Sequence, residues 1–543
     1  MVSGRHCFSQ DRRRLWPIGR IRAWVLRSVS VVLLLAAACT PLPSPFEADS
    51  SPERVFAVSF ENLVDRYIEP RKAGELALAG LVRLTTLDEA VAVSRTGNFV
   101  AVSIGGIPLK RYAAPEIDDI DGWALLTANV LKDVREASPS VRTQSDQAIY
   151  EVVFKGIFST FDKYSRYRGP EAASRSRASR DGFGGLGIMI EVEDGVTVVT
   201  RVLNDTPAQR AGLKPDDRIT VVDGEPIRGL SQREVIERLR GDVDEVIALT
   251  IMRGSPGIPV DISLVRVHII APTVEVRQDG KVLRLKISGF NQGTVRSVRR
   301  ALDEAEREIG DDLKGLIIDL RDNPGGLLDQ ALEVADLFID SGRISSTRGR
   351  HSDSDQIFDA TPGAFRGEIP IAVLINGRSA SAAEVLAAAL RDLGRAAVLG
   401  SSSYGKGTVQ TILTLPNGGE IIVTWARLYA PSGQTLQKQG VVPAFCTNGH
   451  SAHLNRLLRA LNAMQKTAGQ LPPDTVRPRS GGGHFSPQAQ TACPPNSARP
   501  EADIEVARLV LGNKAAYEAA VADIAPSVAE RWNKATGSDK PGP

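Results

Sequence analysis

The 543-residue chain has few of the side chains on which many enzyme classes depend. It contains only six histidines and four cysteines, and the His-Glu-x-x-His pattern of zinc peptidases does not occur. Neither sign of charge dominates, because 66 lysines and arginines face 64 aspartates and glutamates, so the composition gives no reason to expect a nucleic-acid partner. The sequence therefore predicts neither a metal nor another cofactor.

Long apolar runs are also lacking, apart from a short one near the N-terminus. An arginine-rich segment precedes the apolar residues 29–38, which are too few to span a bilayer stably. This pattern predicts an export signal over residues 1–38, with a single membrane anchor as the alternative. The small residues before Cys39 resemble a bacterial lipoprotein signal, which implies a lipid anchor on that sulfur. Cleavage without lipid is the alternative, and the proline-rich residues 39–52 form a linker or tether in either case.

The cysteines outside the export signal form a candidate pair. Cys446 and Cys493 remain once Cys7 and Cys39 are set aside. In an exported chain, which reaches the periplasm or another part of the cell envelope, a disulfide bond is the natural state of two such cysteines. Two unpaired thiols are the alternative, because sequence does not reveal the distance between them.

Apolar periodicity indicates a helical N-terminal region followed by a compact unit. Residues 53–180 are predicted to be mainly helical, but 90–107 alternate like strands and 168–180 read as a mobile polar linker. Residues 181–268 show short strands, Asp-Gly turns and a helix at Gln232–Arg240.

Strands and helices alternate over residues 269–445. The predicted strands are 282–287, 316–320 and 371–375, and the predicted helices are 294–309, 328–338 and 382–390. This alternation favours an α/β core with a largely parallel sheet. Residues 446–543 form an extension, with a flexible loop at 466–500 and a final helix near 504–524.

Two strand-to-helix junctions carry candidate chemistry. Ser381 follows a buried strand and begins an alanine-rich helix, where its hydroxyl would face the positive end of the helix dipole; a plain N-cap serine is the alternative. Residues 319–326, Asp-Leu-Arg-Asp-Asn-Pro-Gly-Gly, also end a strand, and their paired glycines allow backbone N–H groups to approach a ligand. An ordinary turn is the alternative there. A nucleophile beside such donors is the layout for acyl transfer.

A nucleophilic serine needs a base, and no histidine lies in a strand–turn–helix context near Ser381. Lys406 can serve if burial lowers its pKa towards neutrality, although a solvated surface lysine is the commoner case. It lies between two glycines, ahead of an apolar strand. Gln410 would reach Lys406 across one helical turn, whereas a straight strand would place the two side chains roughly 13 Å apart.

These segments resemble the active site of the carboxy-terminal processing peptidases, the tail-specific Ser/Lys proteases of the S41 type. The matching segments, in family order, are Phe161–Tyr167, Asp319–Gly326, Asn376–Glu384, Lys406–Gln410, Tyr429–Gly433 and Gly440–Pro443. The resemblance implies that Ser381 is the nucleophile, Lys406 the base and Gln410 the residue that orients the lysine. It further implies an oxyanion hole formed by the N–H of Ala382 and a glycine N–H, with Gly326 favoured over Gly325.

The unit at residues 181–268 resembles the PDZ domain of this family. Its segment 183–188, Phe-Gly-Gly-Leu-Gly-Ile, is similar to a carboxylate-binding loop, in which successive N–H groups hold a chain terminus while the peptide adds as a strand. The residues expected to contact the peptide are Phe183, Leu186, Gly187, Ile188, Val235 and Leu239. Core positions are the alternative for Val235 and Leu239.

The fold implied by the resemblance is multidomain α+β. It comprises an N-terminal helical region, a PDZ domain and an α/β protease core of the ClpP/crotonase-like type. The implied function is an envelope serine endopeptidase that cleaves proteins near apolar C-terminal tails captured by the PDZ domain, with an activating adaptor as a further partner. A catalytically inert PDZ adaptor of the periplasm is the alternative, and a trypsin-like PDZ protease is excluded because its Gly-Asn-Ser-Gly-Gly type turn is absent.

Overall fold

A computed structural model describes residues 50–255, 257–447, 451–466, 493–496 and 500–521. The export signal, Cys39 and nearly all of the tether lie outside the described residues, as does most of the loop predicted at 466–500. No helix in the described ranges has the length and apolarity needed to cross a membrane.

The N-terminal region combines helices with a small antiparallel sheet. Its elements are α1 (Pro52–Arg66), α2 (Ala73–Val82), β1 (Val91–Thr96), β2 (Phe99–Ile104), β3 (Ile107–Ala113), α3 (Ile120–Ala137), α4 (Pro139–Arg142), α5 (Asp146–Phe158), β4 (Arg166–Arg168) and α6 (Pro170–Arg180). Helices form most of this region, as predicted for residues 53–180, and the alternating residues 90–107 contribute to the sheet β1–β2–β3. Helix α3 is not among the predicted elements, although its buried residues Trp123, Val130 and Val134 follow helical spacing.

The prediction of a mobile linker at residues 168–180 is wrong. Most of this segment is helix α6, which packs against the core through arginines that converge on one carboxylate. Glu420 is fully buried, and its oxygens lie 3.0 Å from Arg177, 3.2 Å from Arg180 and 3.8 Å from Arg168. The partner of this polar helix is about 240 residues away in sequence, so local composition could not indicate that it is ordered.

The next unit is built around one antiparallel sheet. Its elements are β5 (Phe183–Gly185), β6 (Ile188–Glu193), β7 (Val196–Val202), α7 (Pro207–Arg210), β8 (Arg218–Val222), β9 (Glu225–Pro226), α8 (Gln232–Leu239), β10 (Val246–Arg253), β11 (Ile258–Val265) and β12 (Val267–Ile269). The sheet order is β11–β10–β8–β7–β6, so β6 is an edge strand, and α8 contacts it. The entry strand β5 pairs antiparallel with the exit strand β12.

The α/β core has a six-stranded sheet with the order β13–β14–β15–β18–β19–β22. Its elements are β13 (Val274–Asp279), β14 (Val282–Ile287), α9 (Thr294–Glu308), β15 (Gly315–Asp319), α10 (Leu328–Asp336), β18 (Ile371–Ile375), α11 (Ala382–Asp392), β19 (Ala396–Gly400) and β22 (Phe445–Cys446). Every neighbouring pair from β14 to β22 is parallel, which confirms the predicted α/β core. A second sheet contains β16 (Arg343–Gly349), β17 (Gln356–Asp359), β20 (Thr408–Thr414) and β21 (Glu420–Tyr429), and β4 from the N-terminal region pairs with β21.

The C-terminal extension covers the second face of the parallel sheet. Helices α9–α11 cover one face, whereas α12 (Ser451–Lys466), α13 (Pro500–Leu511) and α14 (Lys514–Val521) contribute to the core on the other. The single final helix predicted near 504–524 is thus two helices. The second begins where the side chain of Asn513 accepts a hydrogen bond from the N–H of Ala516.

A disulfide bond joins Cys446, at the end of β22, to Cys493. The residues after Cys493 lie against two loops of the core, because the carbonyl of Asn496 accepts hydrogen bonds from Gly377 N–H at 3.3 Å and from the Ser401 hydroxyl at 2.9 Å. The bond therefore ties the extension to the loop that leads to Ser381.

Replacing both cysteines by serine is expected to lower the free energy of unfolding by about 3–4 kcal/mol, because the bond closes a loop with a sequence separation of 47 residues. Urea unfolding of the two proteins, each with and without reductant, measures the difference. Reductant should shift the midpoint of the wild type and leave that of the double variant in place. Equal midpoints for all four samples would contradict the expectation.

Candidate active site

Ser381 lies at the junction between the buried strand β18 and helix α11. Its φ of 57° is in a region that residues with a side chain rarely adopt, a strain of about 1–3 kcal/mol that the surroundings must hold in place. The preceding loop is fixed to residues 319–326, since Ala380 N–H donates to the carbonyl of Asn323 at 2.9 Å and the Ser379 hydroxyl donates to that of Leu320 at 2.8 Å. The two segments singled out in the sequence are therefore in direct contact.

Glu384, which is not among the predicted site residues, connects Ser381 to the segment that carries Lys406. Its side chain is fully buried, and one oxygen accepts hydrogen bonds from Ser381 N–H at 2.7 Å and Lys406 N–H at 2.9 Å. The other oxygen accepts from Gly405 N–H at 2.6 Å and from the hydroxyl of Ser403. Burial raises the pKa of Glu384, and these four donors oppose that shift. The Ser-x-x-Glu spacing of a capping box was the available signal.

Lys406 lies between Gly405 and β20, mostly shielded from solvent. Burial lowers the pKa of its ammonium group, the charge of Arg166 lowers it further, and the carboxylates of Glu384 and Asp162 oppose both effects. Its Nζ atom lies 5.1 Å from the centre of the Tyr164 ring, and no carboxylate in the described part of the chain is within 4 Å of it. These surroundings favour the neutral amine, which can accept a proton, more than the surroundings of an ordinary surface lysine do.

Gln410 lies on strand β20, so the helical turn considered from sequence does not occur. Its amide nitrogen donates to the hydroxyls of Thr408 at 3.0 Å and Thr424 at 3.1 Å, and a β-bulge lies between Val409 and Gln410. Ser381, Lys406 and Gln410 all line one cavity of about 510 Å³.

The two glycines at 325–326 differ in what their N–H groups do. Gly325 N–H donates to the side chain of Asn323 at 2.8 Å, whereas the N–H groups of Gly326 and of Ala382 have no acceptor in the described part of the chain. A Cβ atom at Gly326, where φ is 144°, would lie 2.1 Å from the carbonyl oxygen of Phe290. Only glycine fits there, and two N–H donors remain available near Ser381.

The predicted peptide-binding loop contains two free donors. The N–H groups of Leu186 and Gly187 have no acceptor among the described residues, and the Phe183 ring packs under the Arg240 guanidinium at 3.9 Å. Ile188 begins the edge strand β6, next to helix α8. Val235 and Leu239 are buried in the core of this unit, which is the alternative left open by the sequence.

Comparisons with known proteins agree with this architecture. Residues 281–445 match the model of peptidase family S41, and residues 175–252 match that of the PDZ domain. A carboxy-terminal-processing protease of Bartonella bacilliformis is 41% identical over 310 residues, which cover 56% of this chain and 71% of that protein. A probable CtpA-like serine protease of Staphylococcus aureus is 32% identical over 382 residues, 68% of this chain and 76% of that protein.

Among solved structures, a photosystem II D1 C-terminal processing protease is 24% identical with a TM-score of 0.35, covering 68% of this chain and 92% of that one. The matched segments thus span most of each relative's own length. The two family models overlap the α/β core and the unit at residues 181–268. The chain therefore belongs to the carboxy-terminal-processing proteases of peptidase family S41, serine peptidases, and carries a PDZ domain.

Proposed function

We propose that the chain is an endopeptidase in which Ser381 is the nucleophile and Lys406 its general base. One observation carries the proposal: Ser381 and Lys406 line the same cavity, beside N–H groups of Gly326 and Ala382 that have no acceptor among the described residues. The decisive test is whether the Ser381→Ala variant still digests casein.

The reaction uses these groups in two stages. The Ser381 oxygen adds to the carbonyl carbon of the scissile peptide while neutral Lys406 accepts its proton. The oxyanion that forms accepts hydrogen bonds from the N–H groups of Gly326 and Ala382, which stabilise the negative charge as it develops. Lys406 then returns the proton to the leaving amine, and a water molecule hydrolyses the acyl-enzyme by the same route. In this scheme Gln410 lines the cavity and orients the lysine.

The proposed setting is the cell envelope. The export signal and the Cys39 lipid site predicted from sequence would place the protease on the periplasmic side of a membrane. The disulfide between Cys446 and Cys493 supports an oxidising compartment, since such bonds persist there and are rare in the cytosol. An activating adaptor remains a further proposed partner.

The proposed substrates are proteins with apolar C-terminal tails held by the PDZ domain. The free N–H groups of Leu186 and Gly187 could bind the terminal carboxylate, and the open edge of β6 could accept the tail as an added strand. The side chain of Gln232 donates to the Ile190 carbonyl on β6 at 3.1 Å. A tail that hydrogen-bonds to this carbonyl would have to displace the Gln232 side chain.

An apolar-ended protein substrate is expected to be cleaved faster with a free C-terminus than with an amidated one, because the amide offers no carboxylate to the loop. Gly187→Val should remove this difference, since a Cβ there would lie 2.3 Å from Thr206. Gly224→Val is a matched control, because Gly224 also has a positive φ, with nothing within 4 Å. Cleavage of a short generic peptide should change little. Equal rates for the acid and the amide would remove carboxylate recognition and leave the peptidase assignment intact.

A further inference from the structure

One wall of the active-site cavity is basic. Arg166 and Arg168 from strand β4 and Arg180 from helix α6 line the cavity together with Ser381 and Lys406. No aspartate or glutamate is among the described residues that line it. We call Arg166, Arg168 and Arg180 the arginine wall.

The carboxylates of the described residues do not fully neutralise the positive charge of this wall. Arg168 and Arg180 share the single carboxylate of Glu420 with Arg177, and Glu420 is buried behind the wall. Arg180 also lies 3.7 Å from Asp181, whose side chain is half exposed. Three guanidinium groups around one buried carboxylate leave a net positive charge on this side of the cavity.

Arg166 is the least compensated member of the wall. Its guanidinium donates to the backbone carbonyl of Tyr164 at 2.8 Å, and within the described ranges no carboxylate lies within 4 Å of it. The nearest acidic groups to the site are already engaged. Asp162 accepts from Tyr164 N–H and from two hydroxyls, and Glu384 accepts from four donors.

The cavity also has apolar lining residues. These are Leu327, Leu328, Val409, Ile412, Ile422 and Leu428. Ile422 lies directly beside Arg166 in the pairing of β4 with β21. A substrate segment that fills the cavity would therefore meet apolar side chains and positive charge close together. Guanidinium groups match the planar carboxylate by paired hydrogen bonds, which adds geometric selectivity to the charge.

We propose that the arginine wall binds a substrate carboxylate within a few residues of the scissile bond, so that the protease selects sites that combine an apolar residue with a nearby negative charge. This inference rests on the proposed function, because it assigns a substrate class to the same cavity. The carboxylate has two possible sources, an aspartate or glutamate side chain or the chain terminus itself.

The test compares quenched fluorescent peptides that share one apolar cleavage sequence. In the first arm, peptides with an amidated C-terminus carry glutamate or glutamine at each position in turn around the cleavage site. In the second arm, a glutamine peptide ends shortly after the site as a free acid or as an amide. The proteins are the wild type, Arg166→Gln, Gly187→Val and the control Arg175→Gln, which removes an exposed arginine of α6 that does not line the cavity. The readout is the ratio of kcat/KM within each peptide pair, taken at several pH values because Arg166 also acts on Lys406.

For the wild type we expect a preference of about tenfold in kcat/KM, which is the size that a charge-assisted hydrogen bond provides. In the first arm the glutamate peptide should exceed the glutamine peptide at one or more positions, or in the second arm the free acid should exceed the amide. Arg166→Gln should bring that ratio close to one, and Arg175→Gln should leave it. A preference in the first arm assigns the carboxylate to a side chain. A preference in the second arm that survives Gly187→Val but not Arg166→Gln assigns it to the terminus.

Ratios near one in both arms, or a preference that Arg166→Gln leaves intact, would overturn the inference. The proposed function would stand in that case, because the neutral peptides are still cleaved. Failure of the wild type to cleave any of the peptides, with casein also undigested, would instead count against the proposed function.

Discussion

Ser381→Ala and Lys406→Ala are each expected to reduce peptide cleavage by a factor on the order of 10³ or more, because each removes a group on which the proposed nucleophilic step depends. In the proposed mechanism the two residues act as a unit, so the double variant should be little slower than either single variant. Lys406→Arg should not restore activity, since a guanidinium group stays charged and cannot accept the proton.

The pH dependence gives a second readout of the same hypothesis. Burial and the charge of Arg166 lower the pKa of Lys406 below that of an ordinary lysine. The protonated ammonium cannot act as a base, so activity should rise with pH and level off once Lys406 is neutral, at a lower pH than an unperturbed lysine would require.

Digestion of casein and of a fluorogenic peptide measures both effects, with thermal unfolding as a check on folding. Lys314→Ala is a suitable control, because Lys314 is exposed and does not line the cavity. Near-normal turnover by Lys406→Ala would show that another group is the base.

Glu384→Gln is expected to reduce activity by about 10²-fold or more, although Glu384 does not line the cavity. A carboxylate accepts hydrogen bonds on both oxygens, whereas an amide has one accepting oxygen and one donating nitrogen. If the amide nitrogen faces Ser381 N–H and Lys406 N–H, both of those hydrogen bonds are lost. If it faces Gly405 N–H and the Ser403 hydroxyl, the hydroxyl can turn to accept, but the bond from Gly405 N–H is lost. At least one buried hydrogen bond to a charged group is therefore lost, at about 1.5–3 kcal/mol each.

Losing hydrogen bonds to Glu384 should shift Ser381 and Lys406 relative to each other and should also destabilise the fold. We expect kcat to fall more than KM changes, together with a lower unfolding temperature. Glu333→Gln provides a matched control, because it lies on the neighbouring helix α10 and is exposed. Wild-type kcat for Glu384→Gln in a folded protein would show that this carboxylate is not needed to hold the two segments together.

The parts of the site that depend on local pattern were predictable from sequence. Ser381 and residues 319–326 each follow a buried strand, and parallel strands bring their carboxyl ends to one edge of the sheet. The side chain of Asn323 accepts the hydrogen bond of Gly325 N–H, which leaves Gly326 as the available donor. The family resemblance favours Gly326, but the sequence does not show the contact with Asn323.

The parts that depend on distant partners were not predictable. The sequence gives α6 the composition of a linker, and only its contact with Glu420 explains why it is a helix that contributes to the arginine wall. The capping-box spacing indicates the contact of Glu384 with Ser381 N–H, but the hydrogen bonds of Glu384 to the Lys406 segment, about 20 residues further on, follow from the fold alone. Gln410 occupies a strand with a bulge, a geometry that neither of the two spacings considered from sequence describes.

The pairing of β5 with β12 gives the PDZ domain the topology of a cassette. Because Phe183 lies opposite Ile269, the chain enters this domain from α6 and leaves it towards β13 at neighbouring points. A module whose two ends lie together can be removed, or exchanged for another module, by joining its flanks with a short linker. If the PDZ domain captures substrate tails as proposed, substrate choice and bond cleavage are separable for engineering, and new tails could be targeted without rebuilding the cavity around Ser381.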